Sequence, residues 1–477
     1  MKACLALTLA ILLTGLALGG CSLAPRYERP ELELPTAWSS VPEQADAKLD
    51  LNWWTRFNDP VLDALIAETL QKNQSLAESL AAVNSARAQL GAATSFLFPS
   101  VVAQGGWSLN SSSLRGSTPL PATLDRIQPS YSGGLSAAWE LDFWGKYRNT
   151  YTALSDIMLS TQAAHIGLRL STSGATARAY FALLALDQQA EIALRTVKTR
   201  EEALQIYTAR FKAGDITQLD WLRASAEVDV ARVSLHETLA AREAAEAALL
   251  TLVGRSPREI MEQRVQRGNK LDSLPVVPVP PEGLPSQLLE RRPDIRAAEF
   301  TLMASNANIG IARAEFFPAI SLTGSFGTLS KHLVNLFTGP AGTWNYAIQG
   351  SMPILDFGRN WWNLKDAEAQ KERALAVYNK TVQNAFADIR TALAQQQESA
   401  AVVKSYSAQV DSLSQAATLA RVRYDNGYSS YLEVLDAERQ LFGAEMQAAA
   451  ALSKRLSAVV DVCMALGGGW DETTRTQ

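Results

Sequence analysis

The chain repeats itself. Residues 210–254 (RFKAGDITQLDWLRASAEVD…LLTLVG) align without a gap onto residues 423–467 (RYDNGYSSYLEVLDAERQLF…CMALGG), an offset of 213. Arg210/Arg423, Gly214/Gly427, Leu219/Leu432, Leu222/Leu435, Ala224/Ala437, Leu239/Leu452 and Gly254/Gly467 coincide. Both stretches are rich in alanine, so these identities alone would carry little weight. Earlier landmarks recur in the same order, however: Phe98-Pro99 before Phe317-Pro318, and Leu141-Asp142-Phe143 before Leu355-Asp356-Phe357. A tandem duplication of a unit of roughly 210 residues accounts for all of them. Two copies of one helical and stranded unit make a scaffold, not a single catalytic pocket.

The N-terminus reads as an export signal. Lys2 precedes an apolar run from Ala3 to Leu18, followed by Gly19-Gly20-Cys21. Residues 1–20 are therefore set aside as signal peptide. The junction resembles a bacterial lipobox, which makes Cys21 the acylated first residue of the mature chain and the covalent lipid its only attached group. Ser22 stands where Asp would mark inner-membrane retention, so the expected destination is the outer membrane. Cys463 is the other thiol left after the signal; it lies in the apolar run VVDVCMAL and is expected to be buried and inert.

A net charge of −4 with 19% charged residues leaves no nucleic-acid footprint. His165, His236 and His332 are isolated, and the chain has no HExxH, CxxC, GxSxG or phosphate-loop motif, so no enzyme is expected. Past the signal, no apolar run approaches the 18 or so residues of a spanning helix. Any membrane crossing must use strands.

Proline distribution sets the domain plan. No proline occurs from Ser130 to Ser256 or after Pro353, whereas six fall between Pro275 and Pro293. The reading is an N-terminal segment at 21–59, a first repeat at 60–270, a linker at 271–285, a second repeat at 286–470 and a tail at 471–477. Each proline-free tract offers a long helix (146–210 and 359–424) and, past a glycine turn at Gly214 or Gly427, a shorter one (215–253 and 430–466). A helix of 65 residues is ~100 Å long and needs a partner along its length. Leu435, Phe442, Ala449, Leu456 and Cys463 keep a seven-residue step, as do Trp221, Val228, Leu235 and Leu249 with Arg242 interrupting; this is coiled-coil spacing. One further helix is expected ahead of the strands of each half, at 60–95 and 285–315.

Four segments alternate with a period of two: 98–110, 131–143, 318–328 and 344–356. Tyr131, Leu135, Trp139 and Leu141 alternate with Ser132, Ser136 and Glu140, and Trp344, Tyr346 and Ile348 alternate with Asn345 and Gln349. Runs of 10–12 residues with terminal aromatics suit membrane barrel strands, although a soluble two-faced sheet alternates too. Four strands cannot close a barrel, and lipid does not tolerate open edges, so a barrel would have to be shared between chains.

In order, these features resemble the outer-membrane efflux proteins, the TolC-like channels, and within them the lipidated OprM-type branch. The marks are Asn52-Trp53-Trp54 with Phe57-Asn58-Asp59-Pro60, Ala138-Trp139-Glu140-Leu141-Asp142-Phe143, and Glu290-Arg291-Arg292-Pro293-Asp294. Phe316-Phe317-Pro318, Leu432-Glu433-Val434-Leu435-Asp436-Ala437-Glu438-Arg439 and Ala465-Leu466-Gly467-Gly468-Gly469-Trp470 complete them. The resemblance implies an α+β membrane protein: a homotrimeric 12-stranded β-barrel, four strands per chain, continued by a long periplasmic α-helical barrel of coiled coils. It implies an exit duct for drugs or other small organic compounds. The partners implied are a periplasmic adaptor (membrane fusion) protein, an inner-membrane RND-type transporter and outer-membrane lipid. Two alternatives are a type I protein-secretion duct and a structural coiled-coil lipoprotein; the aromatic-ended strands argue against the second. Seven methionines and three histidines weigh against metal export.

The resemblance also implies a periplasmic gate. Leu432 matches its apolar ring and Asp436 its acidic ring, with Glu433 beside them; positions 432 and 436 share a helix face. From spacing alone, Glu433 and Asp436 could equally be carboxylates offsetting a helix N-terminal dipole. Asp220 and Tyr424 match a clamp between neighbouring coiled coils. Ser429 stands where some members carry Arg, so a second link is expected to be missing. Gly214 and Gly427 are expected to act through the backbone, reversing the chain.

Overall fold

A computed structural model describes residues 22–35, 52–113, 125–276 and 285–468. The expectations at Cys21, the signal peptide, most of the proline-rich linker and the C-terminal tail lie outside them. The helices are α1 (Pro60–Lys72), α2 (Gln74–Thr94), α3 (Lys146–Ala213), α4 (Gln218–Val253), α5 (Pro257–Glu262), α6 (Leu288–Arg291), α7 (Pro293–Ala314), α8 (Arg359–Asp425) and α9 (Tyr431–Ala465). The strands are β1 (Ser100–Ser111), β2 (Ile127–Leu141), β3 (Ala319–Ser330) and β4 (Gly342–Ser351). Two compact units divide the chain. The first takes the N-terminal segment through Glu31 with Ala82–Gln162 and Ala297–Asn379; the second takes Leu32–Ala81, Ala163–Arg296 and the chain from Lys380 onward. Each unit draws on both repeats, so the halves read from sequence are not the bodies that pack.

In the first unit the four strands form one antiparallel sheet in the order β1-β2-β3-β4. Register explains their composition, because directly paired residues share a face. Trp107 pairs with Tyr131, Leu135 with Phe326 and then Trp344, and Trp139 with Leu322 and then Ile348. The opposite face carries Val102-Ser136-Ser325-Asn345 and Gln104-Gly134-Gly327-Thr343, with Glu140-Ser321-Gln349 at one end. One side of the sheet is thus apolar and aromatic, and the other is small, polar and almost uncharged. Phe326, Trp344, Tyr346 and Ile348 are each about 70% exposed, so nothing among the described residues covers the apolar side. The outer edges of β1 and β4 are unpaired among the described residues. Where β2 and β3 meet at Gly134 and Gly327, a Cβ on either residue would fall within 2.7 Å of the other strand's backbone, so glycine alone fits that approach.

The second unit repeats one helix ending four times. Gly214 and Gly427 have φ of +84° and +77°; Asp215 N–H donates to Arg210 O and Tyr428 N–H to Arg423 O. Gly254 and Gly467, at +89° and +91°, end α4 and α9 in the same way, with Arg255 N–H on Leu250 O and Gly468 N–H on Cys463 O. This Schellman ending needs a left-handed residue, which explains the glycine at each landmark of the duplication.

The helices read at 60–95 and 285–315 are each broken in the structure, at Asn73 and at Arg292. Asn73 is extended; its side chain accepts from Leu76 N–H and donates to Leu252 O in the last turn of α4 (2.7 Å). Arg292 donates to Ala465 O in the last turn of α9 (3.0 Å). The glycines ending α4 and α9 pack into these breaks. A Cβ on Gly254 would land on the Lys72 carbonyl, and one on Gly467 would sit 3.1 Å from Arg291 O. Different side chains thus make the same joint in the two repeats. Nearby, Trp53, Phe57, Leu62, Tyr180, Phe181, Leu249, Leu250, Leu456 and Val460 form one core. Asp59 is fully buried in it, accepting from Val61 N–H, Tyr180 Oη–H and Asn269 N–H. Leu271 and Leu274 join this core, so the start of the sequence-predicted linker is anchored, not free. Cys463 is buried there as well, and burial pushes its thiol up to about 12.

Candidate functional site at the helix turns

Near the turns at Gly214 and Gly427, the ends of α3 and α8 and the starts of α4 and α9 pack around aromatic rings. Tyr207, Tyr424 and Tyr431 form a triangle with centroid separations of 4.3 Å (207–431), 5.5 Å (424–431) and 6.0 Å (207–424). Ala203, Ala224, Val434 and Leu435 close it from either side. Burial raises the hydroxyl pKa values of Tyr207 and Tyr431 well above the ordinary tyrosine range. Both stay protonated and neutral in this apolar setting.

Beside the triangle lies a buried ion triad that the sequence reading did not single out. Glu227 on α4 is 2% exposed. Arg200 on α3, 6% exposed, donates to its Oε2 (2.7 Å) and to its backbone oxygen (3.0 Å). Arg439 on α9 donates to Oε1 through Nε (2.7 Å) and Nη2. One carboxylate therefore ties α3, α4 and α9, crossing from the first repeat to the second. Arg421 and Glu438 add a pair between α8 and α9 at 2.9 Å. The sequence clue to Glu227 is a glutamate flanked by the buried apolar positions Ala224, Val228 and Ala231 on a heptad-spaced helix.

The residues read as a gate occupy the free side of α9. Leu432 is 50% exposed, and Glu433 and Asp436 are exposed, whereas Tyr431, Val434 and Leu435 point inward. Gln440 donates to Asp436 Oδ2 at 2.6 Å, and the Arg439 pKa is raised chiefly by its hydrogen bond to Glu227, with the Asp436 charge one turn away adding to it. Leu432 and Asp436 thus share a face that the chain's own packing leaves open.

Asp220 and Tyr424 do not meet within the chain. Asp220 belongs to the N-cap of α4: its N–H donates to Thr217 Oγ1, its Oδ2 accepts from that hydroxyl at 2.8 Å, and Arg223 lies 3.8 Å away. The Tyr424 ring is held in the aromatic triangle. Within the chain, the tie between these helices is the Arg200–Glu227–Arg439 triad. Ser429 is held with its Oγ buried and without a hydrogen-bond partner among the described residues. No helix among the described residues is long and apolar enough to cross a membrane.

The outer membrane efflux protein profile matches residues 65–255 and again 284–468, once in each repeat. The chain belongs to the outer membrane efflux protein family. It is 35% identical over 472 residues to the outer membrane protein OprJ of Pseudomonas aeruginosa, covering 97% of this chain and 95% of that one. It is 34% identical to the cation efflux system protein CusC of Escherichia coli K12, covering 95% and 97%. Its fold superposes on the Campylobacter jejuni CmeC outer membrane channel with a TM-score of 0.89 at 26% identity, covering 95% and 96%. On the open state of the Neisseria gonorrhoeae MtrE outer membrane channel the TM-score is 0.84 at 33% identity, covering 96% and 100%. The chain is an outer-membrane efflux duct of the TolC-like fold, mostly helical with one four-stranded sheet and an internal duplication. Relatives of nearly equal identity carry different cargo in their names, so identity does not divide organic from metal cargo.

Proposed function

We propose that three copies of the chain close a 12-stranded barrel in the outer membrane and form the passive exit duct of a tripartite pump for drugs or other small organic compounds. The open sheet carries this reading. Its apolar side suits lipid, its polar side suits water, and its two unpaired edges must be matched by other copies because lipid offers no hydrogen bonds. A 12-residue strand tilted by ~45° covers roughly 25–30 Å, the height of a membrane barrel's apolar band.

In the same proposal Cys21 carries the lipid. The segment after it supports this, because it is strapped along α7 toward the sheet. Glu299 holds Arg29 through two bonds (2.7 and 2.6 Å) and Tyr27 at 3.2 Å, Asn306 donates to Pro25 O, and Arg313 donates to Leu23 O. Ser22 then bonds Asn149, three residues into α3. Ser22 is thereby held at the start of α3, a few residues past the end of β2.

Leu432 and Asp436, with Glu433 beside them, would form the rings of a periplasmic gate. The triad would keep α9 packed on α3 and α4, while Asp220 and Tyr424 would make their contact between copies. A periplasmic adaptor and an RND-type transporter complete the proposed pump. The test is single-channel recording of the purified protein in planar bilayers, with Asp436→Ala beside it. We expect cation-selective channels whose selectivity weakens in the variant. A protein that forms no channels at all would remove the proposal, and unchanged selectivity would remove the acidic ring.

A further inference from the structure

In the first unit the duplication builds one junction twice, once filled and once open. Gly145 and Gly358, 213 residues apart with φ of +73° and +86°, lead into α3 and α8. A ring precedes each glycine, Trp144 in the first repeat and Phe357 in the second. Matching landmarks enter the sheet: Phe98-Pro99 before β1 and Phe317-Pro318 before β3. Because β2 and β3 pair with Leu141 opposite Ile320, the exit from β2 meets the entry to β3. There Trp144 stacks on Phe317, with 4.7 Å between centroids and 27° between planes, and its indole N–H donates to Pro318 O at 2.8 Å. The other exit and the other entry belong to the two outer strands. β4 ends at Ser351, opposite Ala319 at the start of β3, and β1 begins at Ser100, opposite Ala138 near the end of β2. Both therefore lie at the same end of the sheet as the filled junction, one at each edge. Neither ring is covered: Phe357 is 89% exposed and Phe98 64%, and Ile354 and Leu355 beside Phe357 are exposed as well.

We infer that the open halves form an aromatic latch between copies: Phe357 of one copy stacks on Phe98 of the next, as Trp144 stacks on Phe317 within one chain. The inference rests on the proposed three-copy closure and names a contact that closure makes. Strands alternate in direction across the sheet, so joining β4 to β1 of a neighbour brings the exit after Ser351 against the entry before Ser100. This is the arrangement of β2 and β3, and the duplication supplies a ring at each corresponding place. Phenylalanine has no indole N–H, so the latch between copies is a stack without the hydrogen bond to the proline carbonyl. One aromatic pair of this kind strengthens association by roughly two- to tenfold.

Full-length protein in detergent, carrying Phe98→Cys and Phe357→Cys together, is treated with a short bis-maleimide and run on a denaturing gel. Covalent dimers and trimers are expected from the double variant, and monomers alone from either single variant. In parallel, dissociation of the uncrosslinked protein is followed by native mass spectrometry for Phe98→Ala, Phe357→Ala and the two combined. Each single variant is expected to weaken association by roughly two- to tenfold per pair, and the combination no further, because the two rings touch each other. Phe357→Trp, which copies the first repeat, is expected to keep the wild-type assembly. Rings seated in lipid instead would give additive losses and no crosslink, which overturns the latch. Trimers that form without the crosslink remove the latch and leave three-copy closure standing. Monomers alone in the wild-type protein remove the closure and the latch with it.

Discussion

Glu227→Ala is the substitution with the largest expected effect near the helix turns. Arg200 is 6% exposed, and the Glu227 carboxylate is the anion it faces in the triad. Removing that carboxylate leaves a buried guanidinium with no anion there, held by the Glu227 carbonyl and the face of the Phe442 ring. Breaking a buried pair from one side costs about 3–5 kcal/mol. Arg439 differs, because its side chain is 57% exposed and can return to water. Its removal leaves Glu227 paired with Arg200, so Arg439→Ala is expected to cost about 1 kcal/mol or less. At 1.4 kcal/mol per tenfold, Glu227→Ala should raise local opening of α9 by roughly 10²- to 4 × 10³-fold and Arg439→Ala by up to roughly fivefold. Amide hydrogen exchange at Val434–Leu441 measures this directly, and Arg200→Ala/Glu227→Ala should recover part of the protection lost in Glu227→Ala alone. Protection within twofold of wild type in Glu227→Ala, or equal losses in Glu227→Ala and Arg439→Ala, would refute the assignment of Glu227 as the tie.

The glycine endings should rank by what a Cβ meets: in denaturant titrations Gly254→Ala should cost about 4 kcal/mol or more, Gly467→Ala about 2, and Gly427→Ala, which faces open space, about 1. Asp156 is 7% exposed and burial raises its pKa to about 6, so the folded state holds the proton more tightly than the unfolded one. Stability from this group is present below about pH 4 and is lost as pH rises through 6; Asp156→Asn should therefore add up to about 3 kcal/mol of stability at pH 8, seen as a higher thermal midpoint, and leave it unchanged at pH 3. Tyr424→Phe combined with Asp220→Ala should raise single-channel conductance while changing chain stability little, since the two groups share no bond within one chain; wild-type conductance in the double variant would discard that contact between copies.

What could be read from sequence follows the range of the interactions involved. The two faces of the sheet were legible because a period of two is a local property, and pairing register then aligned the four patterns. The glycine turns were legible because a left-handed ending admits few other residues. The break at Asn73 was not, because local propensity favours one continuous helix there; the break at Arg292 did have a local signal, Pro293, which pushes the residue before it out of helical backbone. Each is stabilised by a carbonyl more than 170 residues away, Leu252 O or Ala465 O. The strap from Ser22 to Arg29 was invisible for the same reason, since its partners Asn149, Glu299, Asn306 and Arg313 lie far along the chain. At the helix turns, the exposed stripe of Leu432, Glu433 and Asp436 follows from helical periodicity. Glu227 looked like any helical glutamate until three helices converged on it. The bond of Asp220 to Thr217 is a local cap, formed at no cost in loop closure, and follows from their spacing of three.

Three-copy closure of the sheet is tested most directly by single-particle imaging of the purified protein in detergent. The account predicts particles with three-fold symmetry in which β1 of each copy pairs with β4 of its neighbour, giving a closed ring of 12 strands. A monodisperse single chain retaining its full strand content would contradict it, because an open four-stranded sheet with an apolar face cannot stand alone in lipid.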